Sequence, residues 1–333
     1  MVWLFLLVAG VFLFVVFIRT KKKRMNPSGV CVFVSGCDTG IGHEVAIDLD
    51  SIGCTVFAGC LQPESSRLSL PASVHVVPLD ITDEGSVSRA IEDVERHLQK
   101  KGKELWALIN NAGVCVYGEF EWQTWNQCQK QVEVNLLGTM RLTKAFLPLL
   151  RKSKGRVITI TSINGSIAYP GLSVYSATKF ALEGLNNALR LELRRHHGIR
   201  VIVVQPGDLA RLTSIMSRHQ ANAQEMWDAM SEEDRQRYGS FFHKYHNITL
   251  KNYGLTSPDS FEHSPILGDL KDAILNESPA DRYISATLLH RLCYFLLGVM
   301  PAKLRDAILD KVTDMLFSTD INKDDECKTY DEK

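Results

Sequence analysis

GVCVFVSGCDTGIGHE, residues 29–44, passes from an unbroken apolar run into three closely spaced glycines and then into helix-forming sequence. Val30 to Ser35 has the continuous hydrophobicity of a strand covered on both faces, without the alternation of a half-exposed one. Gly36, Gly40 and Gly42 allow a tight turn and leave room for a close approach to the backbone. Strand, glycine turn and helix start, in that order, open an α/β sheet.

The pattern repeats downstream. CTVFAGC (54–60), VHVVPLD (74–80), LWALIN (105–110), RVITITS (156–162) and IRVIVVQP (199–206) read as buried strands, with RYIS (282–285) as a last one. Segments near 41–52, 84–101, 124–152 and 174–197 have helical length and periodicity. Apolar strands separated by helices and joined by right-handed crossovers predict an α/β fold with a doubly wound, Rossmann-type parallel sheet. No linker breaks the alternation before about residue 206, so residues 29–317 are expected to form a single domain. Residues 208–280 leave the pattern, being largely polar and helix-prone with Phe241, Phe242, Tyr245 and Tyr253 interspersed. They are expected to cover the carboxyl ends of the strands, where open α/β sheets bind ligands. LLHRLCYFLLGVMP (288–301) is apolar but interrupted by His290 and Arg291. It reads first as core packing, with a membrane-facing lip of the substrate site as the alternative. Residues 318–333 read as a disordered, solvated tail.

Composition narrows the classes. The chain of 333 residues is 45% hydrophobic and 23% charged, with 38 basic and 38 acidic side chains. That balance gives no global field for nucleic acid. The eight cysteines form no CxxC pair and several sit inside strands, which points to free thiols in a reducing compartment and no metal site. At the N-terminus, Val2 to Ile18 are apolar or small, seventeen residues followed by Arg19 and the run Lys21 to Arg24. Residues 1–24 are therefore expected to be a retained transmembrane signal anchor with its basic flank. The charge bias places the following domain on the cytosolic side.

Three side chains carry a chemical pattern. Tyr175 and Lys179 are four apart in a helical stretch, so phenol and ammonium share one face, thirteen residues after Ser162. A phenol titrates near ~10, and a fixed cation nearby favours the phenolate and brings it towards the range of a working acid or base. Ser162 adds a hydroxyl able to hold a substrate oxygen. At the glycine turn, a pyrophosphate would sit on the helix N-terminus. Asp80 and Asn110-Asn111-Ala112-Gly113 end the third and fourth strands, where an adenosine would rest.

In combination, the turn GCDTGIG (36–42), NNAG (110–113), Asn135, Ser162, Tyr175, Lys179 and Pro206-Gly207 resemble the short-chain dehydrogenase/reductase family over roughly residues 29–210. FAGCL, LWALINNAGV and VNLLGTMRLTKAFLPLLRKSKGRVITITS look most like its branch of retinol, hydroxysteroid and 3-hydroxybutyrate dehydrogenases. The resemblance implies that Tyr175 is the general acid/base and that Lys179 lowers its pKa and holds the nicotinamide ribose. It implies that Ser162 orients the reacting oxygen and that Asn135 anchors a proton-relaying water. It implies cofactor contacts from Gly36, Asp38, Gly40, Ile41, Gly42, Asp80, Asn111, Ala112, Gly113, Pro206 and Gly207. In PGDLARLT (206–213), Arg211 stands where the family usually has a Thr, with Thr213 two residues on. Asp38 in the turn, and no cation after the second strand before Arg67, favour NAD(H) over NADP(H). The expected substrate is a lipophilic small molecule, a steroid or retinoid. A 3-hydroxybutyrate-type enzyme or a non-catalytic nucleotide or lipid binder stands as the alternative. The same resemblance and the anchor suggest a homodimer or homotetramer on the endoplasmic reticulum membrane, or alternatively a mitochondrial one.

Overall fold

The computed structural model describes residues 23–254 and 256–318. Its strands are β1 (Cys31–Ser35), β2 (Thr55–Cys60), β3 (His75–Pro78), β4 (Ala107–Asn110), β5 (Arg156–Ile160), β6 (Arg200–Pro206) and β7 (Arg282–Ser285). They form one sheet in the order β3-β2-β1-β4-β5-β6-β7, every pair parallel. Side chains along a strand alternate between faces. Val32 and Val34 of β1 thus pack with α1 (Gly40–Ser51) and α9 (Ile266–Leu275). Cys31 and Phe33 pack on the opposite side with α3 (Glu84–Lys101) and α5 (Thr139–Ser153). Both faces are covered, which is why the strands carry no polar stripe. The strand order reverses between β1 and β4, and their carboxyl ends flank the crevice in which such sheets bind ligands.

The helices largely follow the sequence reading, with a short unforeseen α2 (Pro63–Ser69) after β2. Three readings are corrected. The helix expected over 124–152 is broken into α4 (Trp125–Val132), a π-helical turn from Glu133 to Gly138, and α5. The wider turn carries Asn135, whose side chain is completely buried and tied to the loop after β4. π-turns inside helices cluster at functional sites.

The second correction concerns 288–301, which is not core. It forms α10 (Leu288–Val299), in which no residue is fully buried, and Leu289 and Val299 are 69% and 65% exposed. Tyr294 and Leu297 pack against Ile163, Ile167 and Leu309, and Arg291 pairs with the buried Asp269 at 3.6 Å. The reason is positional: α10 follows the edge strand β7, and among the described residues only α11 (Ala302–Ser318) comes after it.

The third correction concerns the cover expected over 208–280, in which α7 (His219–Ala229) and α8 (Glu232–Asn252) precede α9. Helix α9 is not part of that cover: it packs on the sheet face beside α1, because it is the crossover from β6 to β7. Trp106 and Arg156, at the amino ends of β4 and β5, donate to its carbonyls. The seven described cysteines are free, six of them buried. Most of the expected anchor (1–24) and of the tail (318–333) lies outside the described residues. Lys23 and Arg24 are described: Lys23 pairs with Glu277 at 3.1 Å and Arg24 bridges to Asn276. Among the described residues no helix is long and apolar enough to cross a membrane.

Candidate active site

The crevice between β1 and β4 is laced shut at its base. The Ser35 hydroxyl accepts from the backbone N–H groups of Asn111 (3.0 Å) and Ala112 (3.2 Å). Asn111 Nδ2 donates to the carbonyls of Ser35 and Gly36, both at 2.9 Å. Gly36 has φ +70°, and a Cβ there would lie 2.8 Å from Ala112 Cα, so the two loops approach too closely for a side chain. Gly42 faces the same junction, and Ile41 beside it packs on the core.

The N-cap residue of α1, Thr39, gives its helix no side-chain hydrogen bond, and the first turn holds no acidic residue. The Thr39 hydroxyl instead pairs with Ser214. Uncapped N–H groups and the positive end of the helix dipole therefore face the crevice. This arrangement fits the pyrophosphate of a dinucleotide. Thr213 also rests on the turn, 3.3 Å from where a Gly40 Cβ would lie, whereas Arg211 is exposed and packs beside Gly254. Thr213, two residues past the usual position, is thus the threonine that reaches the glycine turn.

Asp38 reaches from this turn to the exit of β2, accepting from the N–H groups of Leu61 (3.0 Å) and Gln62 (2.7 Å). Arg67, the nearest cation in sequence after β2, is held by Glu64 at 2.5 Å. Asp80 Oδ1 accepts from the backbone and hydroxyl of Thr82 (2.8 and 2.7 Å), which shapes the loop after β3. Gly113 lies between Asn135 and Lys179: a Cβ there would be 3.3 Å from Asn135 Oδ1 and 3.7 Å from Lys179 Nζ. Pro206 and Gly207 stand at the end of β6, with the Gly207 N–H donating to Ser285 at 3.1 Å.

The reacting groups converge at the neighbouring strand ends. Tyr175 and Lys179 share the inner face of α6 (Ser173–His197), 7% and 5% exposed. Lys179 Nζ donates to the Ile160 carbonyl at 3.3 Å and lies 5.6 Å from the centroid of the Tyr175 ring. Ser162 follows β5 and accepts from the Asn164 N–H at 3.1 Å.

One expectation fails. Burial pushes the Tyr175 phenol above its ordinary value, the Cys115 thiol adds to the rise, and a hydrogen bond with Ser162 pulls the other way. The same burial pulls Lys179 down to about 8, against the opposing influence of Cys115 and Glu183. Desolvation disfavours both charged forms and outweighs the influences that oppose it. Asn135 is committed as well: Oδ1 accepts from the Val114 N–H (2.8 Å), and Nδ2 donates to the Val114 carbonyl (2.8 Å) and Thr178 Oγ1 (3.1 Å). Both amide protons are used, so the side chain clamps the loop after β4 to α6.

Sequence reasoning missed the wall beside the phenol. Cys115 and Leu172 pack with Tyr175, flanked by Tyr117, Tyr169 and Ile215. Above them, Trp122 stacks edge-on with Phe242 (5.2 Å) and Tyr245 (5.4 Å) of α8. The aromatics of the 208–280 segment signalled this cover; Cys115 and Tyr117 carried no signal beyond lying just after NNAG. An open groove of about 780 Å³ lies elsewhere, on the outer side of α4 and α6, lined by Phe120, Trp125, Val132, Leu137, Val174 and Ala177. It faces away from Tyr175 and Lys179, so it is not the reaction chamber.

Comparisons with known proteins agree with this geometry. The family model described as short chain dehydrogenase matches residues 30–224. The chain is 37% identical to the mitochondrial D-beta-hydroxybutyrate dehydrogenase of Rattus norvegicus over 275 residues, covering 80% of this chain and 79% of the other. It is 34% identical to retinol dehydrogenase 5 of Homo sapiens, covering 92% and 96%. Identity to the 17-beta-hydroxysteroid dehydrogenase type 6 of Bos taurus is 31%, covering 93% and 97%. Among solved structures, a short chain dehydrogenase from Burkholderia cenocepacia in complex with NADP is similar at TM-score 0.57 and 22% identity, covering 86% and 99%. A 3-ketoacyl-(acyl-carrier-protein) reductase from Brucella melitensis complexed with NADH matches at TM-score 0.52 and 23% identity, covering 58% and 80%. At these identities the two structures speak to the fold alone.

Proposed function

The chain belongs to the short-chain dehydrogenase family, an oxidoreductase acting on CH–OH groups, and on that premise we propose that it is NAD(H)-dependent and interconverts a lipophilic secondary alcohol and its ketone, or retinol and retinal. A steroid or retinoid is the substrate class. The observation that carries this reading is the convergence of Ser162, Tyr175 and Lys179 beside a crevice fitted for a dinucleotide. Ser162 would orient the substrate oxygen, Tyr175 would exchange a proton with it, and Lys179 would hold the ribose side. When bound, the oxidised nicotinamide supplies the hydride acceptor and a positive charge. That charge would favour the phenolate that burial opposes. The wall of Cys115, Tyr117, Leu172 and Ile215 supports an apolar substrate body. Asp38 at the exit of β2, with Arg67 engaged by Glu64, supports NAD(H), because a 2′-phosphate would meet a carboxylate.

A second reading, a 3-hydroxybutyrate-type dehydrogenase, is favoured by the similarity to the rat enzyme of that name. It asks for a cation at the substrate carboxylate, and Arg211 lies exposed beside Gly254. A panel of hydroxysteroids, retinol and 3-hydroxybutyrate with each cofactor separates the two. The expected result is turnover of a steroid or retinoid, with NAD preferred over NADP by at least about tenfold, roughly 1.4 kcal/mol. Turnover of 3-hydroxybutyrate alone, or a tenfold preference for NADP, would reverse the assignment.

Two surfaces support the expected partners. The outer face of α10 and α11, with Leu288, Leu289, Leu292, Phe295 and Val299 exposed, supports contact with a bilayer beside the Ser162 loop, in line with the apolar run at 2–18. The groove on α4 and α6, with Trp125 72% exposed, supports a second copy of the chain. One preparation of residues 23–333 tests both. It should sediment as a dimer that Trp125→Glu dissociates, and it should float with phosphatidylcholine vesicles until Leu289 and Phe295 are replaced by Glu. A monomer indifferent to vesicles would remove both proposals.

A further inference from the structure

Behind the catalytic lysine stands a carboxylate that the chemistry above does not use. Glu183 lies one helical turn beyond Lys179 on α6 and is 7% exposed. Three groups donate to it: Thr161 Oγ1 at 2.7 Å, Gln205 Nε2 at 2.9 Å and Arg282 Nη2 at 2.6 Å. These partners come from three successive strands. Thr161 leads into Ser162 at the exit of β5, Gln205 precedes Pro206-Gly207 in β6, and Arg282 opens β7. Glu183 therefore joins the helix of Tyr175 and Lys179 to the segment presenting Ser162 and to the one presenting Pro206-Gly207. The fit is close, since a Cβ on Gly165 would lie 2.9 Å from the Lys179 carbonyl and 3.1 Å from Glu183 Cγ.

A buried ion pair is weak grounds for stability, because desolvation offsets much of the Coulomb gain. Its placement suggests another use. We propose that Glu183 is a positioning residue for the reaction. Balanced by Arg282, it sets the field at the Tyr175–Lys179 pair and registers Ser162 against α6. This rests on the oxidoreductase reading and extends it to a residue outside the reacting set.

The groups facing the pair can be enumerated. From the loop after β4 come the Cys115 thiol and Gly113; from β5 comes the Ile160 carbonyl. The Tyr117 phenol, itself influenced by Asp208, and the Tyr169 phenol flank Tyr175, and the Ser162 hydroxyl hydrogen-bonds it. Glu183 faces Arg282 from β7 and the neutral Thr161 and Gln205. Glu183 and Arg282 are thus the opposed permanent charges acting through the back of the helix.

The signs follow. Removing the carboxylate in Glu183→Gln makes the site more positive, which favours the phenolate and disfavours the ammonium, so both titrations move to lower pH. Arg282→Met leaves the carboxylate unbalanced, and both titrations move to higher pH. The bell-shaped profile of kcat/KM, which reports the pair as a unit, should shift down in Glu183→Gln and up in Arg282→Met, each by about half a pH unit or more. A purely structural buttress would lower the melting temperature or the rate in both variants and leave the limbs in place. Unmoved limbs, or profiles that shift the same way in both variants, overturn the proposal. Direct titration of Tyr175 by difference absorbance against Tyr175→Phe reads the same shift without turnover. A wild type without turnover, with the phenol still shifting in opposite directions in the two variants, would sink the oxidoreductase reading and leave only the field that Glu183 and Arg282 set.

Discussion

Tyr175→Phe is expected to lose turnover by about 10²–10⁴-fold, the range a positioned acid/base contributes, while binding cofactor as the wild type does. The variant removes one oxygen and little else. The ring keeps its packing against Cys115 and Leu172, and its contact with the Lys179 ammonium survives. Ser162 keeps its hydrogen bond from Asn164. Because burial lifts the phenol and pulls Lys179 down to about 8, alcohol oxidation by the wild type should rise as pH increases from neutrality towards that value. Above it the rate should level off, as loss of the lysine's charge cancels the further gain in phenolate. Steady-state kinetics beside a cofactor fluorescence titration make the comparison. A variant within tenfold of wild type would remove Tyr175 from the chemistry.

Gly42→Ala should abolish most cofactor binding without touching any reacting group. A Cβ at this position would overlap the Gly36 carbonyl oxygen and Asn111 Nδ2. Asn111 would have to withdraw from the Ser35 and Gly36 carbonyls, undoing the lacing between the β1 and β4 loops. Overpacking of this kind costs about 1–3 kcal/mol, and each tenfold in affinity corresponds to about 1.4 kcal/mol. Affinity should therefore fall by roughly 10- to 100-fold. Gly184→Ala is the control: nothing lies within 4 Å of its Cβ position in α6, so it should be neutral or stabilising by about 0.5–1 kcal/mol. Calorimetric titration of NAD into both variants decides. Wild-type affinity in Gly42→Ala would mean the glycine turn is not the cofactor's seat.

The sheet was legible because its strands are covered on both faces, which leaves an unmistakable apolar signature at β1, β2, β4, β5 and β6. The glycine turn, Ser162, Tyr175 and Lys179 were legible because backbone conformation and helical spacing constrain which residues can stand there. Three features were not. A π-turn around Asn135 keeps the composition of an ordinary helix, and only its contact with Val114, distant in sequence, sets it apart. The α10 segment has the hydrophobicity of core, but among the described residues no layer beyond the edge strand covers it. The balance between Tyr175 and Lys179 depends on how deeply both are buried, a quantity that spacing alone does not carry. Glu183 hides for a similar reason: its partners lie on three strands brought together only by the fold.

The most direct test of the central claim follows the hydride itself. A hydroxysteroid or retinol carrying deuterium on its carbinol carbon is incubated with the protein and NAD, and the reduced cofactor is examined by mass spectrometry. Deuterium is expected on the nicotinamide, in amount equal to the carbonyl product formed, and none with Tyr175→Phe over the same interval. Product formed with the label lost to water, or cofactor left oxidised across the whole panel, would contradict it.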